Sequence, residues 1–524
     1  MEIGLKATQH FVNVVHRIHY MLSILLDRTG KLELSNTSVL PNLTGQSTPR
    51  HRGIRMLMYK EIGEVRETHS CYGVNSSGSK HQLTLDFAGN VKTRNGFRDP
   101  AFADNKTQPL HRWIPWIAGF SAQFVQDCFD TFLKDRKKRS MPCVLDPFAG
   151  VGTTIVQAVL NGFNSVGFEI NPYAALGCKA KLNSPKLNLE TLETYFREYQ
   201  CVATSGRRNG SRLRPAAFET RIPFFSVSVE DQVLAFLDFT ERIPQAEIAD
   251  LFRLAFGSVM VSFSNYTYEP SLGSRPGAGK PLIEKADVHS AILGKLSEMI
   301  SDIRWIKGRA GNIPYQGTGQ VHNKDFLESR DVLPPCSVDL MVTSPPYMNN
   351  YHYVRNTRPQ LFWLSLVSSP KELRKLEEAN FGKYWQTVRD SKPIDLNFEH
   401  PELSRTLVKL RQTRKEKGAY GGPGWANYVT SYFNDCHRFC KVLKRALARG
   451  GMGVIVIGNS IIQGHEMKTD VILGDIARQS GLALMRVQQV RTKRVGASIT
   501  TSAVRRGDAS KATLYESAVI LKKK

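Results

Sequence analysis

The sequence predicts an α/β fold built on a mostly parallel sheet, and the order of its first clear elements leads to that prediction. Residues 143–145 form a short apolar run of the kind found in buried strands, and a loop with Gly150 and Gly152 follows it. Helix-forming residues then cover 154–160, and a second strand-like run covers 165–170. A strand, a glycine loop, a helix and a second strand in this order are the repeating unit of parallel α/β sheets.

Later segments extend this pattern towards the end of the chain. Four segments of strand length are predicted to join the sheet: 338–343, 452–458, 482–490 and 514–521. Residues 428–449 carry apolar side chains on one face of a helix, and the glycines at 450 and 451 are expected to end it. The last two strands are expected to pair with each other and to close the sheet.

The pattern is interrupted twice, which predicts insertions into the sheet domain. A basic, turn-rich insertion is assigned to 186–300 and a second, polar one to 355–425. The sheet domain itself then comprises 101–185 and 301–524. Residues 1–100 are assigned to an N-terminal auxiliary region of unclear fold.

The charge balance favours a polyanionic partner. The chain of 524 residues carries 71 Lys and Arg against 47 Asp and Glu, a formal net charge of +24. Nucleic acid is the usual partner of such a protein, and a merely basic enzyme is the alternative on charge alone. No apolar run approaches the ~18 residues that a membrane span needs. The apolar stretch near 20–26 is too short and broken for a secretory signal, so we expect a soluble cytoplasmic protein.

The eight cysteines are scattered, and no Cys-x-x-Cys pair occurs. This spacing argues against a zinc finger and against a disulfide framework. Cys436, His437 and Cys440 lie close together on a predicted helix, but no second pair of metal ligands is visible. We interpret them as core and surface positions of an amphipathic helix, and we expect no metal site.

The glycine loop after the first strand has features of a cofactor site. Gly150 and Gly152 allow a tight turn and a close approach to a ligand, and the following helix N-terminus favours a carboxylate. Asp146 at the strand end is placed to accept from an amino group. Glu169 ends the next strand, at the spacing where an acid reaches two ribose hydroxyls. A nicotinamide fingerprint would need a third glycine at Ile155, and no phosphate-binding Gly-Lys loop of the required pattern occurs.

A second loop has the features of a site for an amino group. The apolar segment 338–343 leads directly into Ser344, Pro345, Pro346 and Tyr347. Two prolines fix the backbone and remove two donors, so that carbonyl oxygens are left exposed beside a hydroxyl. Such acceptors bind an –NH2 group and keep its lone pair out of the ring, which makes the nitrogen a better nucleophile. Tyr347 is expected to stack on a base that has been flipped out of a duplex.

These two loops resemble motifs of a known family. The run D-P-F-A-G-V-G-T-T at 146–154 closely resembles motif I of S-adenosylmethionine-dependent DNA amino-methyltransferases, and S-P-P-Y at 344–347 resembles their motif IV. The resemblance covers about 111–185, 318–355 and 428–524. It implies a Rossmann-like class I methyltransferase fold, with a seven-stranded, mostly parallel sheet and helices on both faces, plus insertions.

The resemblance also implies roles for single residues. The cofactor-binding positions that it implies are Asp146, Phe148, Gly150, Gly152, Thr153, Glu169, Asp325 and Phe326, and the catalytic positions are Ser344, Pro345, Pro346 and Tyr347. Asp325 would accept from the adenine amino group of S-adenosylmethionine, with Phe326 beside the ring. Phe120 or Phe124, in the helix before motif I, would pack near the cofactor.

The serine of the second loop favours cytosine N4 as the target, because acid and amide forms are commoner in enzymes for adenine N6. The resemblance therefore implies a site-specific methyltransferase of double-stranded DNA, nucleoid-associated and working beside a cognate restriction endonuclease. The first candidate for target recognition is 186–300, and the second is 355–425. The alternatives are an adenine-N6 enzyme, an RNA amino-methyltransferase, and a DNA-binding specificity protein with an inactive methylase core.

Overall fold

The computed structural model describes residues 96–116, 119, 121–134, 141–205, 210–268, 271–310, 317–348, 352–493 and 513–524. The auxiliary region expected at 1–100 lies, except for its last five residues, outside the described residues. Phe120 lies outside them as well. Within the described ranges, no helix is both long and apolar enough to cross a lipid bilayer.

The α-helices of the described ranges are α1 (Ala122–Phe132), α2 (Thr153–Leu160), α3 (Pro172–Asn183), α4 (Leu189–Ser205), α5 (Val227–Glu241), α6 (Ala246–Val259), α7 (Val288–Ala310), α8 (Tyr353–Asn356), α9 (Arg358–Trp363), α10 (Pro370–Ala379), α11 (Trp385–Val388), α12 (Pro401–Gln412), α13 (Gly422–Ala446) and α14 (Thr469–Gln479). Short 3-10 helices lie at Phe102–Lys106, His111–Trp113, Ser184–Lys186, Pro276–Ala278, Phe326–Asp331 and Lys415–Tyr420.

One seven-stranded sheet organises the molecule. Its strands are β1 (Cys143–Asp146), β2 (Asn164–Phe168), β3 (Gly319–His322), β4 (Val338–Thr343), β5 (Leu447–Gly458), β6 (Ala483–Lys493) and β7 (Leu514–Lys522). They lie in the order β3-β2-β1-β4-β5-β7-β6. All neighbours pair in parallel except β7, which is antiparallel to both β5 and β6. The expected class I methyltransferase fold, with its seven-stranded, mostly parallel sheet, is therefore confirmed.

The strand order reverses beside β1, and this places the functional site. The chain runs outward from β1 through β2 to β3, then returns to β4 on the other side of β1. In open α/β sheets, ligands bind at such a switch point, outside the carboxyl ends of the strands. The loops that follow β1, β2, β3 and β4 all leave the sheet at that edge.

Apolar cores lie on both faces of the sheet. Leu340 and Val342 of β4 pack in one core with Phe124 of α1. Met341, between them, packs in the opposite core with Phe433 of α13. Side chains alternate in this way because successive residues of a strand point to opposite faces. Helices therefore cover both faces of the sheet, as expected.

The boundary between α13 and β5 differs from the prediction. The helix was expected over 428–449 and to end at Gly450, but it begins at Gly422 and ends at Ala446. Pro423 lies in its first turn, where a proline is tolerated because the N–H groups there have no partner within the helix. Gly450 belongs to β5, where its N–H donates to the carbonyl of Lys523 at 2.8 Å. Pairing with the end of the chain thus extends the strand through the glycines.

The region between β2 and β3 is helical. In its described part, helices α4 to α7 pack with α3 in one apolar core, to which Leu192, Phe236, Phe252 and Ile292 contribute. The polar segment expected at 355–425 begins differently from the prediction. Leu361, Phe362 and Trp363 of α9 join this same core and are at most 2% exposed.

Candidate active site

The loops at the carboxyl edge of the sheet enclose one cleft of about 880 Å³, counting space open to solvent. Most of the residues that the sequence pointed to line it: Phe148, Gly150, Thr153, Glu169, Asp325, Phe326, Ser344 and Pro346. The other predicted positions are not among its lining residues: Asp146, Gly152, Pro345 and Tyr347. The two motifs, distant in the sequence, thus meet because β1 and β4 are neighbours in the sheet.

The glycine loop needs its glycines for two different contacts. Gly150 has a φ of +51°, and a Cβ there would lie 3.3 Å from Nε1 of Trp116. Gly152 has a φ of +87°, and its Cβ would lie 3.1 Å from Sγ of Cys178. Positive φ strains any L side chain. The loop can therefore approach its neighbours closely only without side chains at these positions.

Two side chains of α3 donate hydrogen bonds to backbone carbonyls of the glycine loop. The thiol of Cys178 donates to the carbonyl of Gly150 at 3.1 Å, and Nζ of Lys181 donates to the carbonyl of Val151 at 2.8 Å. Lys181 is only 1% exposed, and burial lowers its pKa to about 8. Neither residue was predicted from the sequence. A cysteine and a lysine three positions apart lie on the same face of a helix, and this spacing could have indicated that they act together.

Asp146 lies buried at the end of β1. Its Oδ1 accepts from the hydroxyl of Thr343 at 2.6 Å and from the N–H of Phe148 at 3.1 Å. Its Oδ2 is buried and receives no hydrogen bond from the described residues, because the nearby Thr154 hydroxyl donates to the carbonyl of Val342. Burial raises the pKa of Asp146 to about 6. A ligand amino group would satisfy the unpartnered oxygen.

Glu169 follows directly after β2 and lines the cleft. Its Oε2 accepts from the N–H of Gly150 at 2.8 Å, and its Oε1 accepts from the N–H of Asn171 at 2.7 Å. Burial raises its pKa to about 7, against these two hydrogen bonds. Each carboxylate oxygen has a second lone pair. Glu169 can therefore accept from two ribose hydroxyls while it keeps both backbone contacts.

Asp325 lies three residues beyond β3, which ends at His322. It caps the 3-10 helix that follows, where its Oδ1 accepts from the N–H of Leu327 at 2.9 Å. Phe326 is 1% exposed, and its ring meets that of Phe168 edge-on at 5.4 Å. Both predicted residues line the cleft. An acid beside an apolar ring suits an adenine with its amino group.

Ser344 of the second loop lines the cleft, whereas Tyr347 does not. Oγ of Ser344 lies 3.4 Å from the hydroxyl of Tyr347. The Tyr347 ring packs on Gly458, where a Cβ would lie 3.3 Å from it. Burial raises the pKa of the Tyr347 hydroxyl well above its ordinary value. Tyr347 is thus fixed at the base of the loop rather than within the lining of the cleft.

One proline carbonyl of this loop is already occupied, which differs from the expectation that both are exposed. The hydroxyl of Tyr432, on α13, donates to the carbonyl of Pro346 at 2.9 Å. No described residue donates to the carbonyl of Pro345. Tyr432 is 1% exposed and therefore fixes the turn from inside the core. Ser344 and the Pro345 carbonyl remain as the acceptors of the loop.

Of the two aromatic residues expected near the cofactor, only Phe124 lies within the described residues. Phe124 is completely buried in the core on one sheet face and does not line the cleft. Trp116 lines it instead, stacked on Tyr353 at 5.9 Å between ring centroids. Tyr353 follows the second loop in the chain, so only the folded structure brings the pair together.

The cysteine-rich stretch of α13 lies in the core. Cys436 and Cys440 are at most 1% exposed, and Nδ1 of His437 is 2.7 Å from Oδ1 of Asn397. Across the part of the chain that the structure describes, no three His, Cys, Asp or Glu side chains are grouped as a metal site would need.

The chain is similar to several type II methyltransferases along most of its length. M.BsoBI of Geobacillus stearothermophilus is 23% identical over 436 residues, which cover 76% of this chain and 83% of the relative. M.AvaI of Nostoc sp. is 20% identical over 406 residues, with 74% and 82% covered. M.MvaI of Kocuria varians is 22% identical over 403 residues, with 72% and 83% covered. No protein-family model matches the chain.

Solved structures give a weaker likeness. The rRNA methyltransferase aviRa of Streptomyces viridochromogenes covers 80% of this chain with 92% of its own, at 9% identity and a TM-score of 0.28.

The fold and the relatives define a class of protein. The chain is a methyltransferase with the class I fold, and S-adenosylmethionine is its methyl donor. The cleft fits this cofactor. Oδ2 of Asp146 has no donor among the described residues and could accept from an amino group. Glu169 can accept from two hydroxyls, and Gly150 leaves room where a Cβ would meet Trp116.

Proposed function

We propose that the protein methylates the exocyclic N4 of cytosine at a specific site in double-stranded DNA, as part of a restriction-modification system. One observation carries the proposal. Ser344 and Pro346 line the same cleft as the glycine loop and Glu169, so a base amino group and the cofactor can meet there. The type II relatives and the net charge of +24 support DNA as the substrate.

The residues of the second loop would activate the amino group. Oγ of Ser344 and the Pro345 carbonyl accept its two N–H bonds and hold its lone pair out of the ring. Tyr432 keeps these acceptors in place, because its hydroxyl anchors the next carbonyl of the turn. Preorganised acceptors of this kind lower the barrier without rearranging during the reaction.

The predicted cofactor-binding residues would hold the methyl donor in position for this reaction. When bound, S-adenosylmethionine supplies the sulfonium methyl. Glu169 would hold the ribose, Asp146 the amino group of the methionine part, and Asp325 with Phe326 the adenine. Positioning of this kind accounts for a large share of the rate gain in two-substrate reactions.

The product identifies the target base. The purified protein is incubated with S-adenosylmethionine and unmethylated genomic DNA, and the digested nucleosides are identified by mass spectrometry. We expect N4-methylcytosine, and none with the Ser344→Ala variant, which controls for methyltransferases carried over from the expression host.

Other products would contradict the proposal at different levels. N6-methyladenine would retain the mechanism and replace the base. No methylated base in DNA, with the cofactor still bound, would favour RNA as the substrate or a DNA-binding role without catalysis.

A further inference from the structure

A groove of about 1190 Å³, counting space open to solvent, lies between the helical region that follows α3 and the segment that follows the second loop. We call it the basic groove. Its lining combines residues at 218–224, the short hairpin of Tyr266–Tyr268 with Leu272–Ser274, and two arginines of α8 and α9. It is distinct from the cofactor cleft, with which it shares no lining residue.

The charge of the groove is unbalanced. Its lining contains Arg221, Arg355 and Arg358 and a single carboxylate, that of Glu219. Arg221 and Arg355 are exposed, and neither forms an ion pair with a described residue. Arg112, by contrast, pairs with Asp302 at 2.5 Å. Arginines left unpaired around one concave surface attract an anionic chain.

Arg358 is held rigidly in the groove. Its Nη2 donates to the carbonyl of Glu219 at 3.0 Å, and its guanidinium lies over the ring of Phe218 at 5.4 Å from the centroid. Its Nε is buried and receives no partner from the described residues. The stacking and the hydrogen bond hold the guanidinium in place, so Arg358 adds positive charge to the groove from a fixed position.

The groove is tied to the catalytic site through α8. Asn356 accepts at its carbonyl from the hydroxyl of Tyr268 (2.9 Å) and at Oδ1 from the N–H of Leu272 (3.0 Å). These bonds fix the hairpin to α8. Tyr353, in the same helical turn as Arg355, lines the cofactor cleft. The short helix α8 therefore contributes to the lining of both the cleft and the groove.

We propose that the basic groove binds the phosphodiester backbone of the DNA strand next to the target base. The proposal rests on the proposed function, since it names where the substrate of that reaction is held. The arginines would contact phosphates, which position a duplex but carry no sequence information. The adjacent aromatic rings of Phe224 and Tyr266, stacked at 5.3 Å, add a flat apolar wall.

The test is binding of a fluorescein-labelled duplex of random sequence across a salt series. The double variant Arg221→Ala/Arg355→Ala removes two exposed side chains, so folding is expected to be retained. We expect roughly tenfold weaker binding per arginine at low salt, and a slope of log K against log salt that is smaller by about 2. The melting shift caused by S-adenosylmethionine should not change.

A matched control removes an arginine from the opposite edge of the sheet. Arg449 is exposed and lies at the amino end of β5, whereas the site lies at the carboxyl ends. Arg449→Ala should bind the duplex as the wild type does. Arg358→Lys keeps the charge but loses the stacked fork, and is expected to weaken binding by roughly tenfold.

Two outcomes would overturn the proposal. Either the double variant binds DNA as tightly as Arg449→Ala does, or a random RNA duplex displaces DNA from the wild type and this competition depends on the same arginines. Failure of the proposed function is separate, since it would appear as absence of methylated bases with the wild-type protein.

Discussion

Glu169 links cofactor binding to pH. Burial raises its pKa from an ordinary 4.5 to about 7, while ribose hydroxyls would donate to the ionised carboxylate. We therefore expect the affinity for S-adenosylmethionine to rise about tenfold between about pH 6 and pH 8, as the carboxyl ionises. Titration calorimetry across this range measures it. Glu169→Gln should show weaker binding without this dependence, and a dependence that persists would point to Asp146, whose pKa is about 6.

The same group has the opposite effect on the free protein. Between pH 4.5 and about 7 the unfolded chain releases the Glu169 proton and the folded chain keeps it. The folded state then binds more protons, so the free energy of unfolding falls as the pH rises through this window. A rise in pH through this window thus increases the affinity for the cofactor and lowers the stability of the free protein, and both effects come from the same carboxyl group.

Substitution of Tyr347 is expected to affect turnover without affecting cofactor binding. The residue does not line the cleft, so Tyr347→Ala is expected to leave the dissociation constant for S-adenosylmethionine unchanged. Its ring packs on Gly458 and its hydroxyl contacts Ser344, so loss of the side chain should displace the loop and lower turnover about ten- to a hundredfold. Equilibrium binding and single-turnover methylation measure the two effects. Tyr347→Phe, which retains the ring, is the control; loss of cofactor binding in the alanine variant would mean that the base pocket is elsewhere.

The turn between β1 and α2 depends on backbone freedom at a defined place. Gly152→Ala would strain a φ of +87° and press a Cβ on Cys178, so we expect about 1–3 kcal/mol lower stability and strongly weakened cofactor binding. Gly162→Ala is a matched control, since Gly162 also has a positive φ but its Cβ meets nothing within 4 Å. It should lose stability alone. Denaturation with and without S-adenosylmethionine distinguishes the two; equal cofactor binding in both variants would contradict the role of the loop.

The net charge of +24 acts across the whole molecule. A protein that neutralises DNA phosphates releases counterions. The logarithm of its binding constant therefore falls linearly with the logarithm of the salt concentration, with a slope of about −0.9 per phosphate contact. With six or more contacts, affinity should fall at least about a thousandfold between about 50 and 200 mM salt. Fluorescence anisotropy at several salt concentrations measures the slope. A flat profile would contradict a role for the charge in substrate binding.

The sequence by itself determined the fold class and the two loops at the centre of the site. Apolar runs of strand length, and glycines or prolines directly after them, are local features that a few residues encode. For this reason β1, β4 and the antiparallel pair of β6 with β7 lie close to their predicted positions. The cofactor also followed from the glycine loop and its resemblance to motif I.

Only the tertiary structure decided what surrounds these loops. Lys181 below the glycine loop, Tyr432 on the Pro346 carbonyl and the Trp116–Tyr353 wall each join segments that are far apart in the chain. No local pattern encodes such contacts, because they depend on which strands become neighbours and which helix faces then meet. Gly450 shows the same effect within an element. The sequence predicts that Gly450 ends a helix, but this glycine belongs to a strand because its N–H donates to the carbonyl of Lys523.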